Sequence, residues 1–226
     1  MHLEWGSAAI IFTPMPSRLK TRRGIYLITP DRTDTDALCR QVAALLRQPV
    51  ALLQYRQKGA DAALRREQAA ALLPICRNAG VPLIVNDDWR LALDIGADGV
   101  HLGGSDADPA AVRAAAGAGP IIGVSCYGDF GRATAMAALD VDYLAFGAVF
   151  PSPTKPLAPR APLALFAQAK ALGKPTVAIG GISPDNSGQL RAAGADFIAV
   201  ISGVFDAPDS AAALAAYHLA FNKAPP

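Results

Sequence analysis

Ile95-Gly96-Ala97-Asp98-Gly99-Val100-His101-Leu102 is the stretch on which the fold turns. It reads as a helix tail stopped by glycine, a short polar start, and a brief apolar strand. Ala193-Gly194-Ala195-Asp196, ahead of Phe197-Ile198-Ala199-Val200, repeats that pattern near the other end of the chain. A glycine stop followed at once by a strand, written twice, is what a repeated βα unit looks like.

Outward from these two stretches the pattern continues. Short apolar runs occur at Gly24–Thr29, Val50–Arg56, Pro82–Asn86, Gly99–Leu102, Ile121–Ser125, Asp142–Gly147, Thr176–Gly180 and Phe197–Ser202. Runs with apolar residues at nearly every position belong to strands buried on both faces, as in a parallel sheet. Between them, Asp36–Arg47, Ala62–Ala79 and Leu163–Leu172 carry apolar residues at helical spacing. Ser183-Pro184 reads as an N-cap with proline opening a helix. Gly80-Val81-Pro82 and Gly173-Lys174-Pro175 are sharp helix stops.

Eight such units predict an α/β fold, a single (β/α)8 TIM barrel with a parallel eight-stranded core over residues 24–226. A doubly wound sheet is the rival, but no GxGxxG follows any of these runs. Residues 1–23 read as an extension that is either poorly ordered or caps the barrel bottom, and Met15 is an alternative start.

The 226 residues are 52% hydrophobic, enough for one large core, and the formal net charge is only +2. So even a balance argues against nucleic acid or a membrane surface as partner. Cys39, Cys76 and Cys126 are odd in number and widely spaced, which suits a reducing, cytoplasmic setting rather than a disulfide framework. No apolar run is long enough to span a bilayer. A homo-oligomer is compatible with this composition.

In such a barrel the chemistry sits at the C-terminal ends of the strands. Gln54, Arg56 and Lys58 alternate along the end of the second strand and so share one face, an acceptor for a polyanion. Asn86-Asp87 ends the third strand, and Asp106 follows the fourth. Two carboxylates there suit Mg2+, which takes one or two of them and completes its shell with water and phosphate oxygens. The competing reading makes either aspartate a helix cap, and for Asp106 the two readings are balanced, since Pro109 opens a helix soon after. Gly180-Gly181 and Ile201-Ser202-Gly203 follow the seventh and eighth strands, where barrels commonly bind phosphate. Ser152-Pro153-Thr154-Lys155, after the sixth, offers two hydroxyls and an ammonium. Cys126 is expected to be a small buried thiol, His101 to satisfy a local hydrogen bond, and His218 to lie on the surface.

These pieces together resemble the thiamine phosphate synthase family from about Gly24 to Tyr217. The resemblance rests on Gly24-Ile25-Tyr26-Leu27-Ile28-Thr29, Gln54-x-Arg56-x-Lys58, Asn86-Asp87, Ala97–Gly103, Ile122–Ser125, Phe146-Gly147, Pro153-Thr154-Lys155 and Ala178–Ile182. It implies a transferase that joins 4-amino-2-methyl-5-(diphosphooxymethyl)pyrimidine to 4-methyl-5-(2-phosphoethyl)thiazole, releasing pyrophosphate. It also implies roles. Gln54, Tyr55, Arg56, Gln57, Lys58, Asn86, Ser125 and Lys155 would hold the pyrimidine diphosphate, with Arg56, Lys58, Lys155 and Ser125 acting in catalysis. Asp87 and Asp106 would hold Mg2+, and Ser152, Pro153, Thr154, Gly181, Ile201 and Ser202 the thiazole phosphate. The family often has Gln where this chain has Gly104, and Thr where it has Ser152. The alternatives are a thiazole tautomerase of the same fold and a non-catalytic phosphate-binding barrel.

Overall fold

The computed structural model describes residue 19, residues 22–151 and residues 160–223. Eight parallel strands close into a barrel in chain order. They are β1 (Gly24–Ile28), β2 (Leu52–Tyr55), β3 (Leu83–Asn86), β4 (Gly99–Leu102), β5 (Ile121–Tyr127), β6 (Tyr143–Gly147), β7 (Thr176–Ile179) and β8 (Phe197–Val200). The ring closes where Gly24 to Leu27 of β1 pair with Phe197 to Val200 of β8. The helices around it are α1 (Thr35–Leu45), α2 (Ala62–Ala79), α3 (Trp89–Ile95), α4 (Pro109–Ala116), α5 (Phe130–Ala137), α6 (Ala164–Ala169), α7 (Pro184–Ala193), α8 (Ser202–Phe205) and α9 (Ser210–Asn222).

Strand residues alternate between two cores, as period-2 geometry requires. Tyr26, Leu52, Ile84, Ile121, Tyr143, Val177 and Phe197 fill the barrel interior. Ile25, Leu53, Leu83, Val100, Ile122, Leu144 and Ile198 face the helices. Leu19, ahead of β1, is buried in the interior cluster, and the rest of the segment before Arg22 lies outside the described residues.

The repeated glycine and aspartate have separate duties. Gly80, Gly96, Gly173 and Gly194 all close helical segments in the left-handed conformation that costs glycine little. The aspartates then pin the sheet. Asp98 accepts from Leu83 N at 2.8 Å, Asp142 from Ile122 N at 2.9 Å and Asp196 from Thr176 N at 2.9 Å. Each carboxylate thus occupies a strand N–H that would otherwise be left unpaired at the barrel floor.

Candidate active site

Interior parity decides which side chains reach the barrel mouth. Gln54, Arg56 and Lys58 from β2 and its loop, Asn86 at the end of β3 and Asp87 just after it, His101 in β4, Asp106 beyond it and Ser125 in β5 line one cavity of about 350 Å3. Tyr55 and Gln57 stand on the opposite face. The Tyr55 hydroxyl donates to Gln68 Oε1 of α2 at 2.9 Å, and the Gln57 amide donates to Arg32 O at 2.7 Å and accepts from Gly59 N at 3.0 Å. Gln57 nonetheless lines an adjoining cavity of about 530 Å3 with Lys58, Asn86, Asp87 and Asp106, so of residues 54–58 only Tyr55 turns wholly into the protein.

Two residues that pattern-reading passed over fix the basic pair in place. Thr29, fully buried at the end of β1, accepts from Arg56 N at 2.9 Å and donates to Arg56 O at 3.1 Å. Asp31 accepts from Lys58 N at 3.0 Å and lies 3.6 Å from the Arg56 guanidinium. Arg56 is left partly exposed, with its charge turned to the mouth.

The capping alternative for the acidic pair falls on their neighbours. Asp88 caps α3 and Asp108 caps α4. Asp87 instead has φ of 63°, a left-handed conformation that aspartate tolerates better than most residues. Asp87 N donates to His101 O at 2.8 Å, which ties the turn to β4. Asp106 accepts from Gly103 N at 2.6 Å. Partial burial pushes the Asp87 carboxyl up to about 6, and its hydrogen bond and like charge with Asp106 add to that, against a downward pull from Lys58 and Arg56.

A hard cation fits this pair. It would replace a repulsion between two carboxylates with two attractions, and water and phosphate oxygens would complete an octahedron.

Beneath the acidic pair lies a buried polar chain. Gln54 Nε2 donates to the Tyr26 hydroxyl at 2.9 Å, and the Tyr26 and Tyr143 hydroxyls are 2.8 Å apart. His101 Nδ1 is 3.0 Å from the Tyr143 hydroxyl, and Nε2 is 2.9 Å from Ser125 Oγ. His101 does make local hydrogen bonds, and it makes them inside the site. Its edge reaches the cavity, but the surrounding protein lowers its pKa to about 4 against a weaker upward pull from Asp106. Burial also pushes both phenols up, so all three groups stay neutral at ordinary pH. The sequence signal for the two tyrosines was their parity: each carries a polar tip on an otherwise apolar interior face.

A second cavity of about 520 Å3 is lined by Gly181, Ile201 and Ser202 with Ser183 and Pro184. Gly181 has φ of 64°, and a side chain there would meet Pro151 O at 2.4 Å, so only glycine lets the two loops approach. Ser183 caps α7, accepting from the Asn186 backbone while its own N–H donates to Asn186 Oδ1 at 2.8 Å. Ser152, Pro153, Thr154 and Lys155 lie outside the described residues.

Two smaller expectations are settled alongside these. Cys126 is buried, as expected of a structural thiol. His218 is not a plain surface residue: it is half-buried, and its Nε2 is shielded from solvent with no hydrogen-bond partner among the described residues.

With this geometry in view, the comparisons with known proteins become specific. The thiamine monophosphate synthase family model matches residues 25–204. The chain belongs to that family. A thiamine-phosphate synthase of Aromatoleum aromaticum is 56% identical over 88% of this chain and 97% of its own length. One from Bordetella pertussis is 54% identical over 92% of this chain and 100% of its own. Among solved structures, a thiamine phosphate pyrophosphorylase from Pyrococcus furiosus superposes with a TM-score of 0.78 at 30% identity, covering 88% of this chain and 95% of that one. A 3-hexulose-6-phosphate synthase at 18% identity and a TM-score of 0.63 shares the fold alone. The Gly104 departure from the family pattern has a local counterpart: Gly104 N donates to the Tyr127 hydroxyl at 2.8 Å, and a side chain at 104 would meet that oxygen at 2.9 Å.

Proposed function

We propose that this chain condenses the aminopyrimidine diphosphate with the thiazole phosphate to give thiamine phosphate and pyrophosphate. The observation that carries the reading is the meeting of Arg56, Lys58, Asp87 and Asp106 around one cavity mouth, two cations facing two carboxylates. That is the arrangement a metal-bound diphosphate needs, since it presents negative charge to the cations and a metal ion to the carboxylates.

Gln54, Asn86 and Ser125 hold the pyrimidine ring end of the substrate, while Arg56, Lys58 and Lys155 hold its diphosphate. Gly181, Ile201 and Ser202, with Ser152, Pro153 and Thr154, hold the thiazole phosphate. Asp87 and Asp106 hold Mg2+, which supplies positive charge to the departing pyrophosphate. The C–O bond to pyrophosphate breaks, leaving a pyrimidine-methyl cation stabilised by the ring amino group. The thiazole nitrogen then adds to that carbon. It carries no proton, so no general base is required, and the side chains serve to bind, orient and neutralise charge. The setting is cytoplasmic, and the partners are small phosphorylated molecules.

The test is pyrophosphate release by the full chain given both substrates, first with Mg2+ and then with EDTA. Release that needs both substrates and the metal, with thiamine phosphate as co-product, is expected. Binding of the phosphorylated ligands without release would favour a non-catalytic barrel, and isomerisation of the thiazole substrate alone would favour a tautomerase.

A further inference from the structure

The five polar groups beneath the mouth can be given a direction by counting protons. Tyr26 accepts from Gln54 Nε2, so its own hydroxyl proton is left for the Tyr143 oxygen 2.8 Å away. Tyr143, having accepted, has its proton left for His101 Nδ1. An imidazole holding one proton then carries it on Nε2 and donates it to Ser125 Oγ. Among the described residues the two imidazole nitrogens pair with hydroxyls, those of Tyr143 and Ser125. The Ser125 proton is left over, and Ser125 faces the cavity. At the other end Gln54, with its amide N–H on Tyr26, has its carbonyl Oε1 left over, also at the cavity wall.

We infer that Tyr26, Tyr143 and His101 form a one-way hydrogen-bond chain that presents Gln54 as an acceptor and Ser125 as a donor to the substrate's pyrimidine ring. An aminopyrimidine edge offers an amino N–H beside a ring nitrogen lone pair, one donor and one acceptor. The chain matches that order. A 4-oxo pyrimidine offers the reverse, a carbonyl beside a ring N–H, and could be accommodated only if all five groups turned over together. Tyr143 and His101 are therefore positioning residues for specificity, acting through Ser125. The inference rests on the pyrimidine site proposed above.

The strands have been shaped around this chain. Gly123 of β5 faces the Tyr143 ring, and a side chain there would fall 1.8 Å from the ring carbon bearing the hydroxyl. The His101 ring stacks on Tyr143 with centroids 5.6 Å apart and planes 15° apart, and Tyr26 meets Tyr143 edge-on at 5.9 Å. Packing thus fixes all three rings at the angles the hydrogen bonds use.

Two measurements test it. The His101 tautomer, read by nitrogen NMR on labelled full-length protein with His2 and His218 assigned by substitution, should carry its proton on Nε2. In Tyr143→Phe, which keeps the ring stack but removes the hydroxyl, the tautomers should mix. A proton on Nδ1 in the unsubstituted protein would reverse the chain and overturn the inference, whatever reaction the protein turns out to catalyse. In the synthase assay, Tyr143→Phe and Ser125→Ala should each raise KM for the pyrimidine diphosphate about tenfold, the value of one hydrogen bond of this kind, with KM for the thiazole phosphate unchanged. Both should narrow the preference for the 4-amino over the 4-oxo substrate. The double variant should be no worse than Ser125→Ala, because the two residues act through one contact. Additive losses, or an unchanged amino-to-oxo preference in Tyr143→Phe, would reduce Tyr143 to a packing residue and sink the idea.

Discussion

Asp98, Asp142 and Asp196 at the floor of the barrel each turn a carboxylate onto a backbone N–H of the preceding strand, whereas Asp87 and Asp106 at its mouth turn theirs toward each other. The first arrangement satisfies donors and stabilises the fold. The second half-buries one carboxyl beside another, and burial first, then the hydrogen bond and like charge of Asp106, raise the Asp87 pKa. A side chain's contribution here depends on which end of a strand it occupies. The floor spends aspartates on stability, and the mouth gives some stability up so that a cation has somewhere to bind.

Asp87→Asn should break that contrast most visibly. Removing one metal ligand is expected to cost turnover about 10²–10³-fold, in the range seen when a group that stabilises developing charge is lost. The metal-free protein should meanwhile become more stable at high pH. Folding raises the Asp87 pKa from 3.8 to about 6, so the folded state holds the extra proton between those values. The stability this group contributes is full below 3.8 and is lost as pH rises through 6. Asparagine cannot ionise, so Asp87→Asn should melt about 2–4 °C higher than the parent at pH 8, roughly what 1 kcal/mol gives in a chain of this size. That gain should shrink toward pH 4. A melting difference that does not change with pH would show that the carboxylates do not repel each other, and normal turnover would remove Asp87 from the metal site.

The floor predicts the opposite pair of signs, with a gradation. Asp142 is buried and also accepts from Arg113 at 2.9 Å. Asp196 is half-buried and paired with Arg23 at 3.1 Å, and Asp98 is exposed. Asp142→Ala should cost about 2–3 kcal/mol, because it leaves a buried N–H and a guanidinium short of a partner. Asp196→Ala should cost less and Asp98→Ala least, as water reaches the freed groups. Denaturant unfolding would rank them, and kcat of the folded fraction should stay near the parent's in all three. A loss of activity out of step with stability would mean that floor and mouth are coupled.

Sequence pattern carried the barrel, the strand count and the alternate-residue basic face, because periodicity and glycine stops are local signals. It carried the acidic pair only as candidates. The structure separated Asp87 from Asp88 and Asp106 from Asp108 through caps that depend on where each helix begins. The Tyr26–Tyr143–His101 chain was hidden for a different reason. Its members sit on β1, β6 and β4, so the contacts exist only once the sheet has closed. The floor aspartates were visible as a repeat, but their partners lie on other strands, and the repeat alone does not show what they bind.

Tyr127 gives the smallest and sharpest test. It lies beyond an irregularity in β5 that breaks the strand alternation after Ser125, yet it lines the same cavity, and it is 51% exposed with its hydroxyl on Gly104 N. Tyr127→Phe should lower kcat/KM by only about threefold, since water can replace the lost partner of an exposed N–H. Gly104→Gln tests the same spot from the other side. Its first side-chain carbon would stand 2.9 Å from the phenol oxygen, so the phenol must swing out. If the phenol and a side chain at 104 are alternative ways to close this edge of the site, Gly104→Gln should cost more in the parent than in Tyr127→Ala, where the space is already vacant. Equal costs in both backgrounds would mean that the two positions do not compete, and that Gly104 reflects loop geometry rather than an exchange of side chains across the mouth.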